Sequence, residues 1–256
     1  MKFIIRRKVI FNVFNKIVKL LKNFSEHLHT YVKHDGLNIQ GMDSAQVTLF
    51  HMVLSNSWFD EYELEEGDKE LININLRMLE KVLSSFDMND GDECVFYYRD
   101  DILIVTHKTP KRKSEFTVPF INVDQDWLEV PESAEWDVEM KFKSAELSSL
   151  LKKMSMFSDD IKIECSDDKI RFDVIGEEGT ANIELTLDNV EGYSIVEGEI
   201  ISTKYSLKFL TKCLEMSSSY DTVSVEMSKE LPLRIHWDLE NNSYLRFYIA
   251  SKMELE

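Results

Sequence analysis

Four amphipathic segments, two in each half of the chain, each lead into runs of alternating apolar residues, and this order leaves few architectures open. Between Val9 and Phe24 the residues Ile10, Phe14, Ile17, Leu21 and Phe24 recur at helical spacing, with Asn12, Asn15, Lys16, Lys19 and Asn23 on the other side. The spacing predicts a second helix over Asn75–Phe86, with Leu76, Leu79, Leu83 and Phe86 inward, Arg77, Glu80, Lys81 and Ser84 outward, and Asn75 as N-cap. A third is predicted over Ser144–Phe157, capped by Ser144, and a fourth over Ser202–Met216 with Lys204, Lys208 and Lys212 as a stripe at i, i+4 and i+8. Strands separate them: Gly36–Leu54, a hairpin of Glu93–Tyr98 with Ile102–His107, then IKIEC, KIRFDVIG, ANIELTL, DTVSVEM, LPLRIHWDL and YLRFYIA. Helix, strands, helix, strands, said twice, reads as an internal duplication of an α+β domain.

Between the halves, residues 122–136 have no clean period, many acids and Pro131, the composition of a connector. The expected organisation is therefore an N-terminal domain at 1–121, a connector loop at 122–136 and a C-terminal domain at 137–256. Trp58–Gly67 is acid-rich and reads as a solvated edge and loop.

Charge is unevenly placed. The chain carries a formal −17, yet its first 25 residues hold seven Lys/Arg and no acid. A basic helix face on an acidic protein is a local field that total charge does not reveal, and it suits a polyanion. Lys16, Lys19 and Lys22 interrupt the apolar run, so no signal-peptide core forms there. No stretch approaches the ~20 apolar residues of a membrane span. Cys94, Cys165 and Cys213 lie far apart, each in an apolar segment, and read as buried thiols.

The segment GLNIQGMDSAQVTL at Gly36–Leu49 resembles the corresponding part of proliferating cell nuclear antigen (PCNA), the eukaryotic DNA sliding clamp family. The likeness continues in NLRMLEKVL (Asn75–Leu83), LEVPE (Leu128–Glu132) and FDVIGEEGTANIEL (Phe172–Leu185). It closes with LKFLTKCLEMSSSYDTVSVEMSKELPLRIHW and YLRFYIASKMELE, so it spans nearly the whole chain in order. The resemblance implies two topologically similar clamp domains, helices on one face of antiparallel sheets, assembled as a homotrimeric ring around double-stranded DNA. It implies a nuclear processivity factor (or one in a viral replication compartment) that serves DNA polymerase, a clamp loader and other proteins carrying a PIP box.

Three sets of residues follow from the helix patterns and the resemblance together. Lys16, Lys19, Lys22, Arg77, Lys81, Lys152, Lys204, Lys208 and Lys212 are expected to line the DNA channel, where diffuse phosphate attraction permits sliding. The resemblance places the PIP-box pocket at Met42, Gln46, Val47, Leu128, Val130, Pro131, Pro232, Tyr248 and Ala250. It places the subunit junction at the stretches Lys113–Phe120 and Gly179–Leu187, with Phe116, Val118, Ile183 and Leu185 as the alternating side chains. Gln46 stands where a His is usual in the family and Ser251 where a Pro is usual.

No catalytic residues, metal or cofactor are expected: the sequence has no GxxxxGK[ST], GxGxxG or HExxH motif. His27 and His29 alternate on an expected strand without further ligands. The alternatives are a monomeric clamp-fold processivity factor and, in a different class, a peripheral membrane scaffold using the basic amphipathic N-terminus.

Overall fold

The computed structural model describes residues 1–65, 70–99, 101–122, 127–131 and 134–252. These form two compact units: Met1–Gln46, Phe50–Glu129 and Asp238–Leu245 in the first, and Val47–Leu49, Val130–Trp237 and Arg246 onward in the second. The division falls at Glu129/Val130, inside the stretch expected to be the connector. The expectations for 123–126, 132–133 and the acidic tail fall outside the described residues.

Unit 1 contains β1 (Lys2–Ile5), α1 (Lys8–Leu21), β2 (His27–Lys33), β3 (Gly36–Met42), β4 (Thr48–Ser55), β5 (Glu61–Glu63), β6 (Leu71–Asn75), α2 (Leu76–Ser84), β7 (Glu93–Arg99), β8 (Ile102–Lys108) and β9 (Lys113–Pro119). The strands order as β5-β1-β7-β8-β9 in one sheet and as β4-β3-β2-β6 in a second run. Helices and both sheets share one core, where Phe3, Phe14, Leu28, Ile39, Leu79 and Phe96 meet. On β2, Leu28, Thr30 and Val32 are buried toward that core, which turns His29 and Tyr31 to the opposite face.

The N-terminal helix forms as its spacing predicts, but it begins only after a strand. Ile10, Phe14, Ile17, Leu21 and Phe24 are all buried. That burial uses up the apolar stripe, so the membrane-surface alternative has no lipid-facing side left. With no acid in its own first turn and no side-chain cap at Arg7, α1 borrows an anion from far along the chain. The Asp60 carboxylate accepts from Arg6 N at 2.6 Å and Arg7 N at 3.3 Å. Of the solvated edge and loop expected over Trp58–Gly67, the edge stands, since β5 ends its sheet beside β1, but Trp58 and Phe59 are buried.

Unit 2 contains β10 (Val138–Lys143), α3 (Ser144–Met154), β11 (Asp160–Cys165), β12 (Lys169–Ile175), β13 (Thr180–Thr186), β14 (Gly192–Ile195), β15 (Ile201–Ser206), α4 (Leu207–Cys213), β16 (Thr222–Met227), β17 (Leu233–Asp238) and β18 (Tyr244–Ile249). One sheet runs β13-β12-β11-β15 and a second run is β14-β10-β16-β17-β18. Alternation is clean here: Val138, Met140 and Phe142 go in while Glu139, Lys141 and Lys143 face out. Trp237, fully buried, donates its indole N–H to the Cys213 carbonyl at 3.1 Å and so ties β17 to the end of α4.

Two helix expectations change. Ser144 is not a cap; it opens α3 buried, its hydroxyl donating to the Tyr220 and Ser217 carbonyls. The fourth helix starts five residues later than its apolar spacing suggested, because Ile201–Ser206 pairs with β11. All three cysteines are buried free thiols, and burial pushes Cys165 up to about 12.

Candidate nucleic-acid interface and partner site

Each unit pairs its two helices on one side of its sheets, and the cationic side chains stand on the surfaces those helices leave exposed. In unit 1, Lys19, Arg77 and Lys81 are exposed and Lys16 and Lys22 half-buried. Lys22 bonds Glu80 of α2 at 2.9 Å, and that hydrogen bond holds the Glu80 carboxyl below its usual range. Arg77 reaches Glu26 at 2.8 Å. The first basic residues of the chain are also taken up: Arg7 by Asp60, Lys2 by Glu61 and Glu63, and Arg6 by Glu61 and Glu93.

In unit 2, Lys152 and Lys208 are exposed and Lys212 half-buried. Lys153, next to Lys152, is exposed as well; together they flank an open groove of about 480 Å³ with Ser149, Met156 and Ser218. Lys152, Lys153 and Lys208 have no acidic partner among the described residues. Lys204 is the misplaced member of the expected stripe. It lies in β15, 3.9 Å from Asp160, and its carbonyl accepts from Lys252 N. A strand alternates where a helix turns, so Lys204 cannot share the face of Lys208 and Lys212 by an i+4 repeat.

The two stretches expected at a subunit junction are both sheet edges. β9 ends the first sheet of unit 1 and β13 ends the four-strand sheet of unit 2, so each offers an unpaired backbone row. On β13, Ile183 and Leu185 are half-buried, with no fully buried residue along the strand. On β9, Phe116 is 37% exposed and packs on Phe86 at 5.5 Å. Val118 is fully buried, so its side chain is core and only its backbone is available to a neighbour. The turn that delivers β13 depends on Gly176, where a Cβ would fall 1.7 Å from the Phe157 carbonyl oxygen.

The expected partner-pocket residues divide between the units. In unit 1, Met42 and Leu128 are half-buried and Gln46 is exposed, with φ of 57° at the turn before β4. In unit 2, Val47, Val130, Pro131 and Pro232 are half-buried, Ala250 is exposed, and Ala250 N donates to the Val47 carbonyl at 2.9 Å. Tyr248 is 3% exposed, a core residue that backs a surface rather than forming one.

Sequence reasoning missed what holds the connector. Trp127 packs on Tyr31 at 4.7 Å and on His29 at 5.7 Å, and the Gln40 amide pairs with the Leu128 backbone. At the other end the Arg234 guanidinium, bonded twice to Glu226, lies 4.8 Å over the Trp136 ring. Two tryptophans in an otherwise aperiodic acidic stretch were the available signal. His29 spends its Nδ1 on Asn73 Oδ1 at 2.5 Å, and no three-residue metal cluster occurs among the described residues.

Comparison with known proteins places this geometry. Residues 7–128 match the N-terminal domain of proliferating cell nuclear antigen, and residues 129–252 match its C-terminal domain. Proliferating cell nuclear antigen 2 of Drosophila melanogaster is 26% identical over 240 residues, covering 93% of each chain. A chain in the crystal structure of a PCNA2–PCNA3 complex from Sulfolobus tokodaii superposes with a TM-score of 0.83 at 22% identity, covering 98% of this chain and 99% of that one. With both domains matched in chain order from residue 7 to residue 252, this protein belongs to the proliferating cell nuclear antigen family and is a DNA sliding clamp.

Proposed function

We propose that three copies of this clamp close into a ring through which duplex DNA is threaded, with the paired helices of both units facing the phosphates. The observation that carries the reading is the placement of charge. The four helices hold nine Lys/Arg against two acids, Glu80 and Glu146, while the chain as a whole is at −17. Scattered lysines on helix faces attract a backbone without reading bases, so the duplex can slide, and the acidic remainder repels it from everywhere else. The free edges of β9 and β13 supply complementary backbone rows, and a head-to-tail pairing of unlike edges closes a ring.

In this reading the chain performs no chemistry of its own. It tethers DNA polymerase, clamp loader and other client enzymes in the nucleus through a hydrophobic-aromatic PIP-box motif. Met42, Gln46, Val47, Leu128, Val130, Pro131, Pro232, Tyr248 and Ala250 form or back the client site, and residues 122–136 act as the connector between the domains.

The test is topological. Loaded onto nicked circular DNA, the protein is expected to stay bound through gel filtration and to be lost when the circle is cut once. Retention that ignores linearisation overturns encirclement, and light scattering that gives a monomer at loading concentration overturns the trimer.

A further inference from the structure

The outer face of the β4-β3-β2-β6 run carries a row of side chains unlike the solvated face such a sheet normally shows. Asn73 on β6, His29 on β2 and Gln40 on β3 stand side by side in the strand register, and Tyr31 pairs with Asn38 in the next row. His29 is 2% exposed and Gln40 also 2%, although both point away from the helix-side core. The connector covers them. Gln40 Nε2 donates to the Leu128 carbonyl at 2.8 Å while its Oε1 accepts from Leu128 N at 3.1 Å. One primary amide therefore pairs both ways with one residue's backbone, as a neighbouring strand would. Trp127 lies edge-on to Tyr31 and also packs against His29 and His51. The shelf beneath it is itself fixed: His29 by Asn73, and His51 Nε2 by Asn38 Oδ1 at 2.7 Å. The chain leaving β9 is tied to the same sheet, since Ile121 N donates to the Asn73 carbonyl at 3.0 Å.

We propose that Gln40 and Trp127 form a latch that holds residues 127–129 against this sheet, and that both are positioning residues for client binding. The second half rests on the client-site reading, because it is Leu128, a wall residue of that site, whose backbone Gln40 grips. A peptide docking beside an already ordered segment avoids the entropy of ordering it, and a competent state populated one-tenth of the time weakens apparent affinity tenfold. The latch makes the competent state the resting one.

The experiment compares full-length wild type with Gln40→Ala and Trp127→Leu. It reads amide exchange of residues 127–129 and affinity for a fluorescent hydrophobic-aromatic PIP-box peptide. Emission of Trp127, isolated by difference against Trp127→Phe, is followed in the wild type and Gln40→Ala. In wild type the Leu128 amide is expected to be protected. Either variant is expected to lose that protection at least ~10-fold and to bind peptide about tenfold more weakly. In Gln40→Ala the Trp127 emission moves to the red and returns on peptide addition. Exchange in β2 and β3 is expected to stay at wild-type values, which separates a released latch from an unfolded sheet; Trp127→Leu guards this further, since its side chain is no part of the sheet. Unchanged Leu128 protection in both variants overturns the latch. Lost protection with unchanged peptide affinity overturns the positioning role. A wild type that binds no peptide overturns the client-site reading, and the latch is then decided by exchange alone.

Discussion

The helix faces of the two units have the same architecture and different electrostatics. In unit 1 much of the basic charge is answered: Lys22 by Glu80, Arg77 by Glu26, and Lys2, Arg6 and Arg7 by the acids at 60, 61, 63 and 93. In unit 2, Lys152, Lys153 and Lys208 stand exposed with no acidic partner among the described residues. Four of the seven cations in the stretch that reads as most basic, Lys2, Arg6, Arg7 and Lys22, thus meet acids in the fold, while Lys8 and Lys19 stand exposed on α1. A lysine already paired with a carboxylate trades that bond for one to a phosphate, so its net contribution to DNA binding is lowered by what the surface pair is worth, about 0–1 kcal/mol. Unit 2 is expected to carry more of the DNA affinity.

The widest gap between the units is expected on charge reversal. Lys152→Glu with Lys208→Glu should shorten retention on nicked circles at least ~100-fold at 150 mM salt, and lower the log–log salt slope by about 0.9 per lost phosphate contact. Lys22→Glu with Arg77→Glu should cost under ~10-fold, because each replaced cation was already engaged. Filter binding across a salt series reads both. Equal losses would break the comparison and return the two faces to equivalence.

The sheet edges differ in a parallel way. β13 has no fully buried residue, whereas β9 anchors Val118 in the core and Phe116 on Phe86. Leu185→Asp is therefore expected to convert assemblies to monomers at low micromolar concentration while the monomer's circular dichroism and melting change little. Phe116→Asp should weaken assembly and also lower the melting temperature by a few degrees, through lost packing in its own unit. Sedimentation velocity beside thermal melts separates the two effects, and an identical pattern for both variants would remove the asymmetry.

What was legible follows from what a period can encode. Helical spacing located α1 and α2, whose core positions are all apolar, and α3, where Leu147, Leu151 and Met154 keep the period although Ser144 and Ser148 are buried beside them; the resemblance, with alternation in support, located the two edge strands. Spacing failed at Lys204, since β15 runs into α4 without a break and a Lys every fourth residue is compatible with either element until Ile201–Ser206 finds its partner in β11. It failed again at Trp58, where flanking acids suggested solvent but Asp60 and Glu61 are the counter-ions of Arg6 and Arg7. The neutralisation of the N-terminal charge and the seat of Trp127 are pairings between residues about 50 to 100 positions apart, and no local pattern carries such information. The family resemblance supplied the assignment of function, which the helix faces alone left open between DNA and lipid.

The smallest expected effect is also the most direct test of neutralisation. Hydrogen bonding to Lys22 is the main reason the Glu80 carboxyl sits below its ordinary 4.5, and the Glu80 side chain is only 12% exposed. A carboxylate whose folded value is depressed adds stability that is complete above its unfolded value and is lost as pH falls through the folded one. The Lys22–Glu80 pair should therefore stabilise unit 1 at pH 7 and cease to do so in the acid range below 4.5. Glu80→Gln is expected to cost about 0–1 kcal/mol at pH 7 and nothing at low pH, so the melting curves of variant and wild type should converge on acidification. The same substitution frees Lys22, and DNA retention at neutral pH should rise about two- to fivefold with a steeper salt slope. Weaker retention would mean that Glu80 holds Lys22 in place for the duplex instead of withholding it, and the contrast between the two helix faces would then be one of order rather than of charge.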